Sequence, residues 1–195
     1  MIKIIEIIKN KKTVILKLNN NQILSIYEEV YLKLNLKINE VINIDNILEI
    51  NLYYECLNYA QNIIKKRDIS YNKLEEKLRY KFKKTTVIQV LNHLIDHNYI
   101  DEQTSINNYI DKMINNNDGP IKIRAKLLKK GYNIDNLNFN KYHYNLEKCA
   151  INYQKTNKEE DKLKKQQKLC RYLLNKGYNI SDINSYMFGR RKDND

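Results

Sequence analysis

Apolar residues follow two different periods along this chain. Residues 3–9, 13–18 and 23–26 are short runs rich in Ile, Val and Leu, separated by Asn- and Lys-rich breaks at 10–12 and 19–21. Asn tolerates left-handed turn geometry, so the runs predict a small antiparallel meander. Such a sheet is marginal alone and needs a covering helix, which residues 27–34 are placed to supply. From Asp45 the spacing becomes helical. Leu48, Leu52, Cys56, Tyr59 and Ile63 recur every three to four residues. Ser70 is an N-cap type ahead of Leu74 and Leu78. Thr86 and Gln89 have the spacing of a capping box, with Val87, Leu91 and Leu94 facing inward. Asp101 opens the next helix, carrying Ile106, Tyr109, Ile110 and Met113. Residues 115–120 break it, and Pro120 suits the first turn of a helix that ends at Gly131. A last helical stretch runs from about Tyr144 to Met187.

A pattern recurs within the helical part: Leu, an aromatic four residues on, then Thr, Asp or Ser, then an aliphatic residue. Its copies are Leu78, Phe82, Thr85, Val87; Leu128, Tyr132, Asp135, Leu137; and Leu174, Tyr178, Ser181, Ile183. The aromatic positions are offset by 50 and then 46 residues, and Gly-Tyr-Asn-Ile appears identically at 131–134 and 177–180. This is the mark of stacked supersecondary units that share their cores. Gly131 and Gly177 fall where a left-handed helix C-cap is wanted. Thr85, Asp135 and Ser181 are N-cap types for a following helix. Leu78, Leu128 and Leu174 are expected at equivalent buried positions. The first copy has Lys81 in place of Gly, so its turn is expected to differ.

Composition narrows the choice. No Trp, one Pro and four Gly in 195 residues argue against an all-β fold. Cys56, Cys149 and Cys170 share no metal-ligand spacing and read as reduced core thiols of a cytoplasmic protein. No apolar run is long enough to span a membrane, and the N-terminus lacks a signal-peptide pattern. The net charge of +12 is uneven: residues 1–118 hold 17 Lys/Arg against 15 Asp/Glu, and residues 119–195 hold 18 against 8. That imbalance points to a polyanionic or acidic partner of the C-terminal half.

Lys122, Lys126 and Lys129 share one helix face, with Arg124 and Lys130 nearby, while Ile121, Ala125 and Leu128 form another, expected to face the core. Farther on, Lys158, Lys162 and Lys165 share a face, as do Lys164, Lys168 and Arg171, above a core side of Leu163, Gln166, Cys170 and Leu173. These cations are the candidate partner-binding residues, set against the plainer reading of a solvated amphipathic surface. Glu159, Glu160 and Asp161 read as first-turn acids that complement the helix dipole. His93 and His97 have a chelating spacing without an evident third ligand, and read as unliganded. Sixteen tyrosines beside Lys and Arg could stack on bases, although helical spacing favours half-buried core positions. No phosphate-binding loop or catalytic constellation is present, so no cofactor and no enzymatic activity are expected.

Three segments resemble the RecX family, regulators of the RecA recombinase. Residues 119–132, Gly-Pro-Ile-Lys-Ile-Arg-Ala-Lys-Leu-Leu-Lys-Lys-Gly-Tyr, are similar to its G-P-x-x-I-x-x-x-L-x-x-K-G signature. Residues 94–109 resemble a second motif through Tyr99, Ile100, Asp101 and Tyr109, with Asn98 in place of its usual Gly, Glu102 in place of its second Asp, and Ser105-Ile106 in place of an aromatic-Ala pair. Residues 173–178 match its final L-x-x-K-G-[F/Y]. The resemblance implies a mainly α protein of three tandem three-helix repeats in an elongated curved arrangement, preceded by a small antiparallel β element. It also implies a non-enzymatic protein in the groove of the RecA–single-stranded DNA filament, modulating ATP hydrolysis, strand exchange and co-protease activity, usually by inhibition; a monomer is expected, with weak direct DNA contact at most. The organisation expected is a β-rich segment at 1–43, repeats at 44–98, 99–142 and 143–187, and a charged tail at 188–195. The alternative is a helical-repeat protein that binds nucleic acid directly.

Overall fold

The computed structural model describes residues 1–189, and the rest of the expected charged tail lies outside the described residues. The chain divides into two compact units, Met1–Ile100 and a second starting at Asp101.

The first unit opens with strands β1 (Ile4–Lys9), β2 (Thr13–Leu18) and β3 (Ile23–Tyr27), antiparallel in the order β1-β2-β3. Alternation sends Val14, Leu16 and Leu18 inward. On the outer side Glu6 stands opposite Lys17, and the two form an ion pair at 2.8 Å. The free side of β1 is partly covered by the chain returning at 39–42: the Ile4 N–H donates to the Glu40 carbonyl and the Ile42 N–H to that of Ile2. Helix α1 (Glu28–Leu34) closes the sheet core with Val30.

Helix α2 (Ile44–Lys66) serves two cores. Its start contributes Ile47 to the sheet core, where Asn51 accepts the Tyr27 N–H at 2.8 Å. Its later turns contribute Cys56, Leu57 and Ala60 to a helical core shared with α3 (Tyr71–Arg79) and α4 (Lys84–Asp96). The sheet thereby gains the cover that three short strands require. Ser70 caps α3 as expected, its Oγ accepting the Lys73 N–H.

The second unit contains α5 (Glu102–Asn115), α6 (Pro120–Lys129), a 3-10 turn at Phe139–Lys141, α7 (Leu146–Thr156), α8 (Lys162–Lys176) and α9 (Ile180–Phe188). It has two cores. Ile106, Ile110, Met113, Ile123, Leu127, Tyr132 and Ile134 form one, and Cys149, Ala150, Leu169, Leu173, Tyr178 and Ile183 the other. Asp101 caps α5 by accepting the Thr104 N–H, and Asn145 and Asp161 cap α7 and α8 in the same way.

The recurrent turn is real, but its register differs from the pattern read along the sequence. Leu78 is fully buried, whereas Leu128 is 55% and Leu174 44% exposed; Leu127 and Leu173 take the core positions. The cause is the extra residue in the later turns. Gly131 and Gly177 adopt φ of +82° and +87°. The Gly131 N–H donates to Leu128 O and the Tyr132 N–H to Leu127 O; Gly177 and Tyr178 repeat this with Leu174 and Leu173. That paired 5→2 and 6→1 closure puts the aromatic five residues after the buried Leu. In the first copy Phe82 N–H bonds back to Leu78 O without a left-handed residue, and the spacing is four. Asn98 and Asn117 close α4 and α5 with the glycine-type geometry, at φ of +57° and +55°.

The expected N-caps after these turns do not form. Lys83 precedes α4 without a side-chain cap, and Thr85 and Thr86 lie inside its first turn, so no Thr86–Gln89 box exists. Ser181 lies within α9, behind Asn179. Asp135 is in a loop, and the second copy continues into only the 3-10 turn, which Asn138 caps.

The register makes an unequal pair of outcomes. Leu127→Ala should lower unfolding free energy by about 2–5 kcal/mol, and Leu128→Ala should change it by no more than about 0.5 kcal/mol. Equal losses in chemical denaturation would contradict this turn geometry.

Candidate interaction surface

Helix α6 begins where α8 ends. Pro120 at the first position of α6 has no N–H, and its neighbours supply the donors: the Gly119 N–H bonds to Lys176 O at 2.7 Å and the Ile121 N–H to Gly177 O at 3.0 Å. Amides orphaned at one helix start thus satisfy carbonyls orphaned at another helix end, and the opposed dipole ends attract. The approach leaves no space for side chains. A Cβ on Gly119 would lie 2.5 Å from Gly177 C and O, and one on Gly177 would lie 2.5 Å from Lys122 N.

Asp118, buried just before α6, adds charge to this backbone contact. Its Oδ1 accepts from Lys122 Nζ at 2.7 Å; Lys126 Nζ lies 3.5 Å from Oδ2 and Lys176 Nζ 3.7 Å from Oδ1. Lys176 also donates to Asn116 O at 3.0 Å, and the Tyr178 hydroxyl donates to Asn117 O at 3.3 Å. Burial pushes the Asp118 carboxyl up, but the Lys122 hydrogen bond and the charges of Lys122, Lys126 and Lys176 outweigh it, leaving it below the usual carboxylate range.

This arrangement re-sorts the candidate cations. Lys122 and Lys126 are half-buried against Asp118. Arg124 and Lys129 are exposed, and Lys130 lies over the Tyr109 ring at 4.7 Å. The intended core face of α6 is instead outside: Ile121, Ala125 and Leu128 are exposed, and Ile123 and Leu127 are buried. On α8, Lys164, Lys168 and Arg171 line one exposed face at i, i+4 and i+7, with Lys162 exposed and Lys165 half-buried. Lys168 pairs with Glu159. Lys158 does not share that helix, because α8 starts only after Asp161. Leu163, expected on the core side, is exposed, and Leu169 takes its place with Leu173.

Other candidate chemistry is held in packing. Cys56 and Cys149 are buried, and burial pushes the Cys56 thiol up to about 12 and the Cys149 thiol up as well. The His93 and His97 rings lie 4.1 Å apart, with His97 Nδ1 2.9 Å from His93 O. Burial and the neighbouring His97 hold His93 below the ordinary histidine range. Among the described residues no group of three or more His, Cys, Asp or Glu could hold a metal, and no helix is long and apolar enough to cross a membrane. Most tyrosines are half-buried; Tyr153 stacks on Tyr172 at 4.2 Å, and several rings carry a lysine. Sequence averaging hid one cluster. Residues 77–84 hold five Lys/Arg and no acid, within a half whose summed charge is small.

A small antiparallel sheet followed by tight-turned helical units with basic outer faces defines a mainly α repeat protein. Residues 145–187 match the family model described as RecX, third three-helix domain. The chain is 30% identical over 192 residues to regulatory protein RecX of Clostridium tetani (strain Massachusetts / E88), covering 92% of this chain and 88% of that one. It is also 30% identical over 190 residues to regulatory protein RecX of Clostridium acetobutylicum, covering 90% and 88%. The crystal structure of a regulatory protein RecX is similar with a TM-score of 0.73 at 18% identity, over 95% of this chain and 98% of that one, a likeness of fold. The crystal structure of RecX from Lactobacillus salivarius gives 0.58 at 24% identity, over 70% and 94%. The chain belongs to the RecX family.

The linkage at Asp118 has a definite sign. A carboxyl whose folded pKa is depressed contributes stability above its unfolded value, near 3.9, and loses it as pH falls through the folded one. Asp118→Asn should therefore cost about 1–3 kcal/mol near neutral pH, with the gap from the parent closing in strong acid. Denaturation at several pH values checks this; a gap independent of pH would remove the charge from the account.

Proposed function

We propose that this chain is a non-enzymatic modulator of the RecA recombinase. It binds the RecA filament on single-stranded DNA and restrains ATP hydrolysis, strand exchange and co-protease activity. Membership of a family whose relatives are named regulatory proteins supports a regulatory role. The observation that carries the reading further is the surface of the second unit. The α8 face of Lys164, Lys168 and Arg171 suits phosphate and acidic side chains. The exposed α6 stripe of Ile121, Ala125 and Leu128 lies between Arg124 and Lys129, which suits a protein surface that is apolar with an acidic rim.

A filament offers both kinds of partner together. A basic face alone would serve a simple nucleic-acid binder, whereas the apolar stripe has no use for phosphate. Occupying the filament favours whichever filament state fits the bound chain best, and obstructs the groove that duplex DNA or a repressor substrate must enter. Of the cations first singled out, Arg124, Lys129, Lys162, Lys164 and Arg171 are the proposed contacts. Lys122 and Lys126 hold the junction, so reversing them would damage the fold first.

Binding to RecA–ssDNA filaments and to naked single-stranded DNA at matched salt tests this. The parent should prefer filaments and slow ATP hydrolysis. Lys164→Glu with Arg171→Glu, and separately Leu128→Asp, should each weaken filament binding by about tenfold or more while circular dichroism stays unchanged. Equal affinity for naked DNA, with RecA turnover unaffected, would favour the direct nucleic-acid binder instead.

A further inference from the structure

The turn between α3 and α4 belongs to the first unit. With the helix ends that flank it, the segment reads Lys77-Leu-Arg79-Tyr80-Lys81-Phe82-Lys83-Lys84, five cations and no acid in eight residues. Leu78 and Phe82 anchor it in the core of the first unit. Between these anchors Tyr80 projects with 84% of its surface exposed. Of the sixteen tyrosines only Tyr80 and Tyr99 are exposed, and the others are buried or half-buried.

Four of the five cations are of two kinds. Arg79 is held by Glu75 at 2.7 Å, and Lys81 lies over the Tyr59 ring at 4.4 Å, so both are fixed in direction. Lys83 and Lys84 are exposed at the start of α4, which carries no acid in its first turn and no side-chain cap. A large ring standing free in solvent between two short basic runs gains nothing for the fold. It does match what an unpaired base needs, namely one flat face to stack on with phosphate partners on either side. In a duplex the bases already stack on each other, so the ring would meet one only at an end.

We propose that the α3–α4 turn is a contact site for single-stranded nucleic acid, with Tyr80 stacking on a base and Lys83 and Lys84 on the flanking phosphates. The site is carried by the first unit. It does not depend on whether the chain binds RecA or on the basic face of α8.

The chain has no tryptophan, so Tyr80→Trp places a single reporter at the turn of the full chain. Its emission should be quenched by a mixed-sequence single-stranded oligonucleotide and much less by the blunt duplex of the same sequence. Tyr80→Ala should weaken oligonucleotide binding, read by anisotropy, by about fivefold or more. Lys83→Glu with Lys84→Glu should reduce the slope of log affinity against log salt by about 1.4, at roughly 0.7 per single-strand phosphate. All these side chains are exposed, so melting should be unchanged. Unchanged tryptophan emission while anisotropy reports binding would overturn the proposal, because the strand would then lie elsewhere. Equal quenching by duplex, quenching only by polyglutamate, or no oligonucleotide binding at low salt would each overturn it as well.

Discussion

The second unit depends on one contact: the start of α6 pressed against the end of α8. A helix start has unpaired amides and a helix end has unpaired carbonyls, and burying either without partners is costly. Here each end answers the other, through Gly119 to Lys176 and Ile121 to Gly177. Glycine at both 119 and 177 is what lets the backbones touch. Asp118 then gathers Lys122, Lys126 and Lys176 around the same point, so that one buried carboxylate ties residues of both helices together. With α6 and α8 joined in this way, the exposed stripe of one and the basic face of the other keep fixed positions within the unit.

This also explains what the family-like segments are for. Gly119-Pro120 and Lys176-Gly177-Tyr178 read as two separate motifs 57 residues apart. In the fold they are the two halves of one joint, and Pro120 is tolerated because the donors it lacks are supplied on either side of it. None of these residues needs to touch a partner. Such motifs mark the family through the joint they build, whereas the proposed contacts lie on the outward faces of the same helices.

Elements were legible in the sequence where local chemistry decides them. The three strands, the covering helix, the Ser70 and Asp101 caps and the break at Pro120 all follow from periodicity and capping. Register was not legible, because adjacent leucines at 127–128 and 173–174 differ only in which one a left-handed glycine turns inward. Charge misled for a related reason. Lys122 and Lys126 look like a solvated stripe until the turn at Asn117 brings Asp118 beneath them. Asn98 and Asn117 took the glycine role, which a Gly-based motif cannot register. The basic turn at 77–84 was hidden by summing charge over a half that is nearly neutral.

Native-state hydrogen exchange at the Gly119 and Ile121 amides addresses the joint most directly. Amides at a helix start ordinarily exchange almost freely. If the joint holds the unit together, these two should exchange only when the core around Tyr178 opens, with the same protection as the Tyr178 amide. Free exchange at Gly119 and Ile121 beside a protected Tyr178 would show that α6 and α8 are not joined there, and would contradict the account.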